Sequence, residues 1–279
     1  MLTPDPIRPL LDDLPMTAAS FIVTIYGDVV VPRGGVLWMG SLIEICGRVG
    51  IRENLVRTAV SRLVAAGRLT GERKGRRSFY RLTPDTQAEF SRVAGQLYAR
   101  SIATEGWFLL QGAPPADDVQ RRLRMARLGG DVWLCPDLGE APPAPALRLP
   151  LQDAPPEALR GFAAAWNLEE VQARYDRMLA RFAPFQAAMQ TGTLPDGFSA
   201  LIARLLLVHV FRAVLLRDPC LPPQALPPGW SGTGARQLFR TLYPPLSAPA
   251  EQVIGSLLEG PDGHLPARTS ESDRRLRQL

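Results

Sequence analysis

The chain has 279 residues, enough for two or three domains, and 46% of them are hydrophobic, an ordinary share for a soluble globular protein. No window reaches the roughly 18 uninterrupted apolar residues of a membrane span. The nearest, Leu201 to Leu216, is broken by Arg204, His209 and Arg212, so no membrane partner is expected. The formal net charge of +5 is unevenly spread: from Arg48 to Arg81 there are ten basic residues and two acidic ones, a local +8, which leaves −3 for the rest. Charge concentrated in this way is the footprint of a surface that meets phosphate.

Residues 1–16 are rich in proline and aspartate, lack the basic-then-apolar layout of a signal peptide, and are expected to form a disordered arm. Cys46, Cys135 and Cys220 are widely separated and have no CxxC spacing. They read as reduced, packed thiols of a cytoplasmic protein. His209 and His264 are too far apart to seed a metal site, so no metal and no cofactor is expected.

Ser20 to Val31 is apolar and β-branched, so its period does not separate helix from strand. It is assigned as the first helix of a winged helix-turn-helix. A turn at Pro32 to Gly35 leads into a short strand, Val36-Leu37-Trp38. Ser41 is placed as the cap of a second helix, Leu42 to Arg48, with Glu44 completing a capping box. Val49-Gly50-Ile51 turns into the third helix, as helix-turn-helix geometry requires.

In that third helix Val56, Ala59, Val60 and Leu63 recur at i, i+3, i+4, i+7 and form a packing stripe. Asn54, Arg57, Thr58 and Ser61 form a polar stripe opposite. Arginine can fork onto guanine, asparagine onto adenine, and hydroxyls reach bases or phosphate. Gly67 stops the helix. Two strand-like runs follow, Arg68 to Thr70 and Ser78 to Leu82, with a link from Gly71 to Arg77 centred on Lys74-Gly75. Asn54, Arg57, Thr58 and Ser61 are therefore candidate base readers of a double-stranded DNA operator. Arg62, Arg73, Lys74, Arg76, Arg77 and Ser78 are candidate phosphate contacts. A charge run alone is usually a solvated face, which is the plain competing reading. Asp85 to Arg100 continues as a linker helix.

Farther on, Glu105 to Gly112 and Asp131 to Pro136 read as strands, Ala146 to Leu149 as a third, and Ala116 to Leu128 as an arginine-rich helix. A second helix starts at Pro155. This order is compatible with a ferredoxin-like unit. From Leu168 the pattern is helical: Leu168 to Gln190 with Pro184 as a kink, Phe198 to Arg217, Gly234 to Tyr243 and Ala250 to Leu258, punctuated by the proline-rich bridge from Pro219 to Gly229. Residues 260–279 are polar and expected to be disordered. The expected fold class is mainly α with small β. The boundaries are 17–100 for the winged helix and linker, 101–166 for the central unit, and 167–259 for the helical C-terminal domain.

The run from Ser20 through Thr83, with LWMGSLIEICGRVGIRENLVRTAVSRLVAAGRL at its heart, resembles the N-terminal domain of the phenylacetate-catabolism repressor (PaaX) family. A second match runs through His209-Val210-Phe211-Arg212, Leu215 to Pro222, and Leu226 to Gly232. The resemblance implies a winged helix-turn-helix, a small ferredoxin-like (Cas2-like) central domain and a helical C-terminal domain. It further implies a homodimeric repressor that an acyl-CoA, typically phenylacetyl-CoA, releases from its operator. Arg52 departs from the Ser-type cap expected before the third helix. Gln111 stands where a Cas2-type nuclease would want a carboxylate, so nuclease activity does not carry over.

For the effector, His209, Arg212 and Trp230 are the candidate residues. The alternative is a buried polar cluster tying that helix to Asp218 and the Trp230 loop, the commoner use of one histidine and one arginine on an apolar helix. No catalytic residue is assigned. Gly229-Trp230-Ser231-Gly232-Thr233 falls short of a nucleophile elbow and follows no strand-like run. Gly232-Thr233-Gly234 lacks the third glycine of a dinucleotide site, and the single lysine, Lys74, is not in a P-loop. The two rival readings are an acyl-CoA-handling enzyme carrying a winged-helix appendage, and a winged helix used only to dock proteins.

Overall fold

The computed structural model describes residues 7–279 apart from 103, 105, 114, 143–144, 151–153 and 193–194. In chain order its regular elements are α1 (Arg8–Leu11), α2 (Ala18–Ile25), β1 (Val36–Trp38), α3 (Met39–Arg48), α4 (Glu53–Ala65), β2 (Leu69–Lys74), β3 (Arg77–Leu82) and α5 (Pro84–Leu97). These are followed by β4 (Gly106–Gln111), α6 (Asp117–Arg122), β5 (Ala126–Gly129), β6 (Val132–Pro136), β7 (Leu147–Pro150), α7 (Pro156–Ala163) and α8 (Leu168–Gln190). The chain ends with α9 (Gly197–Leu215), α10 (Ser231–Leu257), β8 (Glu259–Gly260), β9 (Gly263–His264) and α11 (Ser270–Gln278). Helix dominates and strand is confined to small sheets, so the chain is mainly α with small β. Two compact units are formed, one from residues 1–99, 179–211 and 237–279, the other from 100–178 and 212–236.

In the first unit, Thr17 caps α2 through a reciprocal capping box with Ser20. The helix then widens into a π-helical turn, Tyr26–Val30, and tightens into a 3₁₀ turn, Val31–Arg33, so the apolar Ser20 to Val31 segment is helical throughout. Helices α3 and α4 are joined through Val49-Gly50-Ile51. Gly50 has φ +80°, and the Cys46 carbonyl accepts the amides of both Val49 and Ile51. The three strands make an antiparallel sheet of order β1-β3-β2.

The wide turn of Tyr26–Val30 delivers Asp28 into the protein. Its Oδ1 accepts the hydroxyls of Tyr98 (2.8 Å) and Tyr243 (2.7 Å), and its Oδ2 lies 2.9 Å from Nη2 of Arg204 on α9. Both charged side chains are about 1% exposed or less. Burial alone would push the Asp28 carboxyl up. The Arg204 guanidinium, the Tyr243 hydroxyl, Arg275 and the Tyr98 hydroxyl outweigh it and hold the carboxyl below the ordinary aspartate range. Arg275 on α11 stacks over Tyr98 at 4.8 Å and donates to the Gly27 carbonyl. Arg33 donates to the carbonyls of Pro266 and Ala267 and faces Glu251 at 3.7 Å.

In the second unit a four-stranded antiparallel sheet has the order β5-β6-β4-β7. Trp107, Leu134, Leu159, Trp166 and Leu221 pack in one cluster; Leu110, Leu123 and Cys135 form another. Trp166 Nε1 donates to the Arg124 carbonyl at 2.7 Å. Asp218 accepts the Tyr175 hydroxyl and the Cys220 amide, both at 2.7 Å. Burial raises the Asp218 carboxyl above its usual value and pushes the Cys220 thiol up to about 12. The three cysteines are buried and free.

Several expectations need correction. Ser41 does not cap a helix: α3 begins two residues earlier, and the Ser41 hydroxyl instead accepts the Glu259 amide at 3.0 Å. The helix expected over 116–128 ends at Arg122, because Arg124 takes a left-handed φ of +54° and the chain enters β5 to pair with β6. The helices expected over 234–243 and 250–258 are one helix, α10, running through Pro244, Pro245 and Pro249. A proline inside a helix costs about 3 kcal/mol. Leu242, Leu246, Ala250 and Ile254 recur every fourth residue and are almost wholly buried, which is the packing that offsets that cost. The tail expected to be disordered forms β8, β9 and α11, with a Thr269–Ser272 capping box and Arg275 only 3% exposed. In the expected arm, residues 1–6 lie outside the described residues; beyond them α1 forms, Leu10 is buried, and Arg181 donates to the Leu10 carbonyl. Of the strand expected from Glu105, that first residue lies outside the described residues, as do positions 143–144 of the loop expected between Gly139 and Ala146.

Asp28→Asn should strand the buried Arg204 charge and destabilise the protein by about 3–5 kcal/mol in urea denaturation. Because the Asp28 carboxyl is depressed in the folded state, its contribution is complete above the unfolded value of roughly 3.9 and is lost as pH falls through the folded value. The acid limb of the stability curve below about pH 4 should therefore be shallower in Asp28→Asn than in the wild type.

Candidate nucleic-acid interface

Helix α4 buries Val56, Ala59 and Val60 and leaves Asn54, Arg57, Thr58, Ser61 and Arg62 exposed. The packing and polar stripes thus fall on opposite sides, as the sequence spacing requires. Arg52 occupies the cap position with no side-chain cap, and the Leu55 amide of the first turn donates instead to the Arg52 carbonyl and to Asn54 Oδ1, both at 3.0 Å. Arg57 pairs with Glu53 one turn back at 2.7 Å, and Thr58 returns its hydroxyl to the Asn54 carbonyl.

Strands β2 and β3 form a longer hairpin than the sequence suggests. Pairing runs from Leu69↔Leu82 to Lys74↔Arg77, which leaves only Gly75-Arg76 as the turn. Gly75 has φ +63° and Arg76 is not left-handed, as a type II′ turn with glycine in its first central position demands. Tyr26, in the π-helical turn that continues α2, ties the hairpin to that helix by donating its hydroxyl to the Tyr80 carbonyl at 2.9 Å. Between α4 and the hairpin lies an open cleft of about 460 Å³, lined by Arg57, Ser61, Glu72, Arg73, Ser78 and Tyr80 among others. Base-reading and phosphate-contacting candidates thus border one groove.

The cations of the hairpin are not equivalent. Arg73 donates to the Gly75 carbonyl and Arg81 pairs with Glu72. Lys74 donates to the Pro261 carbonyl at 2.9 Å and faces Asp262 at 3.8 Å. Arg77 lies between the Trp38 ring, 4.5 Å away, and the carboxylate of Glu259. Asp262 belongs to the segment expected to be disordered, and Glu259 is the last residue of the expected helical C-terminal domain. The turn signal Gly260-Pro261-Asp262-Gly263 could have shown a hairpin there.

Of the effector candidates, His209 and Arg212 lie one turn apart on α9. His209, in the first unit, is 5% exposed; its Nδ1 lies 2.9 Å from the Thr24 hydroxyl and its ring meets Phe21 edge-on. Arg212 and Trp230 belong to the second unit, where Trp230 packs against Tyr175. The neighbouring Ser231 hydroxyl is held by Asp176 and Gln172. Among the described residues no His, Cys, Asp or Glu cluster could hold a metal ion. Helix α9 is long and apolar enough to cross a membrane, yet most of it is buried inside the protein, as a core helix would be.

A family profile described as PaaX-like protein matches residues 17–86, and one described as PaaX-like protein C-terminal domain matches 166–256. The chain is also 29% identical over 290 residues to the transcriptional repressor PaaX of Escherichia coli (strain K12), covering 94% of this chain and 90% of that one. A solved structure of the uncharacterized protein Rv0674 from Mycobacterium tuberculosis, 22% identical, superposes with a TM-score of 0.49 over 84% of this chain and 97% of that one. The two profiles together cover more than half of the sequence, in the family's order, and the chain belongs to the PaaX family.

Gly75→Ala should place a side chain in the left-handed region at a cost of roughly 1–2 kcal/mol. Hydrogen exchange of the β2 and β3 amides should accelerate, while the amides of α9 and α10 keep their protection.

Proposed function

We propose that this protein is a DNA-binding transcriptional repressor of an aromatic, phenylacetate-type catabolic operon, and not an enzyme. The observation that carries the reading is the exposed polar stripe of α4 beside a cationic hairpin, within a stretch of net charge +8. The order of α2, β1, α3, α4 and the β2–β3 hairpin supports a winged helix-turn-helix. The 4-1-3-2 strand order of the second sheet supports a ferredoxin-like centre, although the helix due before the last strand comes after it as α7. The E. coli relative, a transcriptional repressor, supports the regulatory role.

On this reading α4 enters the major groove, where Asn54, Arg57, Thr58 and Ser61 meet base edges. Arg62, Arg73, Arg76 and Ser78 face phosphate and fix the register, and Lys74 and Arg77, each beside an acid, are candidates for weaker phosphate contacts. A homodimer presents two such helices at the spacing of two half-sites. An acyl-CoA such as phenylacetyl-CoA releases the DNA by favouring a dimer geometry that no longer matches that spacing. The protein then acts in the cytoplasm, where both DNA and thioester are found.

Arg57→Ala should cost about 1–3 kcal/mol on the DNA upstream of the protein's own gene and relax preference at one base pair. Arg76→Ala should weaken all sequences alike and flatten the salt dependence. Equal loss on specific and random duplexes for Arg57→Ala would remove the base-reading role. In a gel-shift titration, phenylacetyl-CoA should release the DNA and free phenylacetate should not; release by neither would reject the effector.

A further inference from the structure

The wing of this protein carries its own counter-charge. The β8–β9 hairpin is fixed in place at both ends. Leu258 is fully buried and Leu265 is 5% exposed, the Leu265 amide donates to the Leu258 carbonyl, and the Glu259 amide donates to Ser41 on α3. From that position Glu259 bonds Arg77, whose guanidinium is held from the other side by Trp38. Pro261 and Asp262 engage Lys74. The two pairs differ in weight. Lys74 and Asp262 are 63% and 94% exposed, so water screens their pair heavily. Arg77 is half exposed and Glu259 a quarter, and the stacking on Trp38 fixes the geometry. No such acid faces Arg76 at the turn among the contacts of the described residues.

Sequence-independent DNA binding is set by how many phosphates the protein neutralises, each adding about 0.9 to the slope of log K against log salt. A cation already neutralised by a fixed carboxylate has less to gain from a phosphate. Base-edge contacts from α4 do not depend on that count.

We propose that Glu259 and Asp262 are affinity-limiting residues of the DNA-binding surface: by occupying Arg77 and Lys74 they withhold two wing cations from phosphate and hold down the sequence-independent part of binding. The proposal rests on the DNA-binding reading above and adds to it a part of the chain far from the helix-turn-helix in sequence. A brace that merely steadied the wing would have the opposite sign, since loosening it would weaken every complex.

The test is fluorescence anisotropy of the full-length protein on a random 30-base-pair duplex and on a duplex from upstream of its own gene, across a salt series. The variants are Glu259→Gln, Asp262→Asn and the double. The double variant should bind the random duplex about tenfold tighter at low salt, with a slope steeper by roughly one to two. It should gain by a similar factor on the upstream duplex, so that the ratio between the two stays unchanged while both slopes steepen. Glu259→Gln should carry most of the effect. In a Lys74→Ala/Arg77→Ala background the acidic substitutions should change nothing. An unchanged or shallower slope in a double variant with wild-type urea stability would overturn the proposal while leaving DNA binding intact. A wild-type protein that binds neither duplex would instead overturn the DNA-binding reading itself.

Discussion

One carboxylate organises the first unit. Asp28 reaches the interior only because the helix that carries it widens at Tyr26–Val30, and there it meets Tyr98 from the end of α5, Arg204 from α9 and Tyr243 from α10, with Arg275 of α11 stacked alongside. A buried ion pair adds little net stability over a well-packed apolar substitute. What this one fixes is which segments meet. Three distant stretches, carrying Tyr98, Arg204 and Tyr243, meet this one carboxylate, and an arrangement that parted Asp28 from Arg204 would leave a charge in the core without a partner.

The same logic extends outward to the DNA-facing elements. Arg33, in the 3₁₀ turn that follows α2, takes carbonyls of Pro266 and Ala267 besides that of Val29, and Ser41 only meets the Glu259 amide if the C-terminal segment returns to α3. Tyr26 then links this interior to the wing through the Tyr80 carbonyl. Residues 237–279 are thus part of the same unit as the N-terminal residues, and the surface formed by α4 and the wing is built on them as much as on its own sequence.

That division explains what could be read from the sequence. Helix α4 and the wing were legible because local rules decide them: a 3.6-residue period separates Val56, Ala59 and Val60 from Asn54, Arg57 and Ser61, and a lysine-glycine step between strand-like runs marks a tight hairpin. The elements that were misplaced are those where a distant partner overrides a local signal. Ser41 followed by Glu44 has the form of a capping box, but its hydroxyl is taken by a residue more than two hundred positions away. The prolines of α10 signal a break, and only the buried column from Leu242 to Ile254 keeps the helix continuous. The last twenty residues look too polar to fold because their order comes from Arg275, a charged residue that composition counts as solvent-facing, lying buried against Tyr98 and Gly27. His209 shows the same limit from another side: the sequence places it on an apolar helix, but not beside the Thr24 hydroxyl that its ring meets.

Charge pairs in this protein form a series graded by solvent. Asp28 and Arg204 are out of water and bind each other strongly enough to fix the core. Arg57 with Glu53, and Arg81 with Glu72, are half exposed or more and exchange freely, since such pairs are worth about 0–1 kcal/mol. A phosphate can take over either arginine with little to displace, which suits groups that must wait in water for a nucleic acid. Arg77 and Glu259 stand between these limits, screened on one side and stacked on Trp38 on the other. A surface built only of freely exchanging pairs would grip any duplex in proportion to its charge. Placing one better-held pair at the edge of the wing lowers that general grip without touching the stripe of α4, and so separates how tightly the surface holds phosphate from how well it can tell one sequence from another.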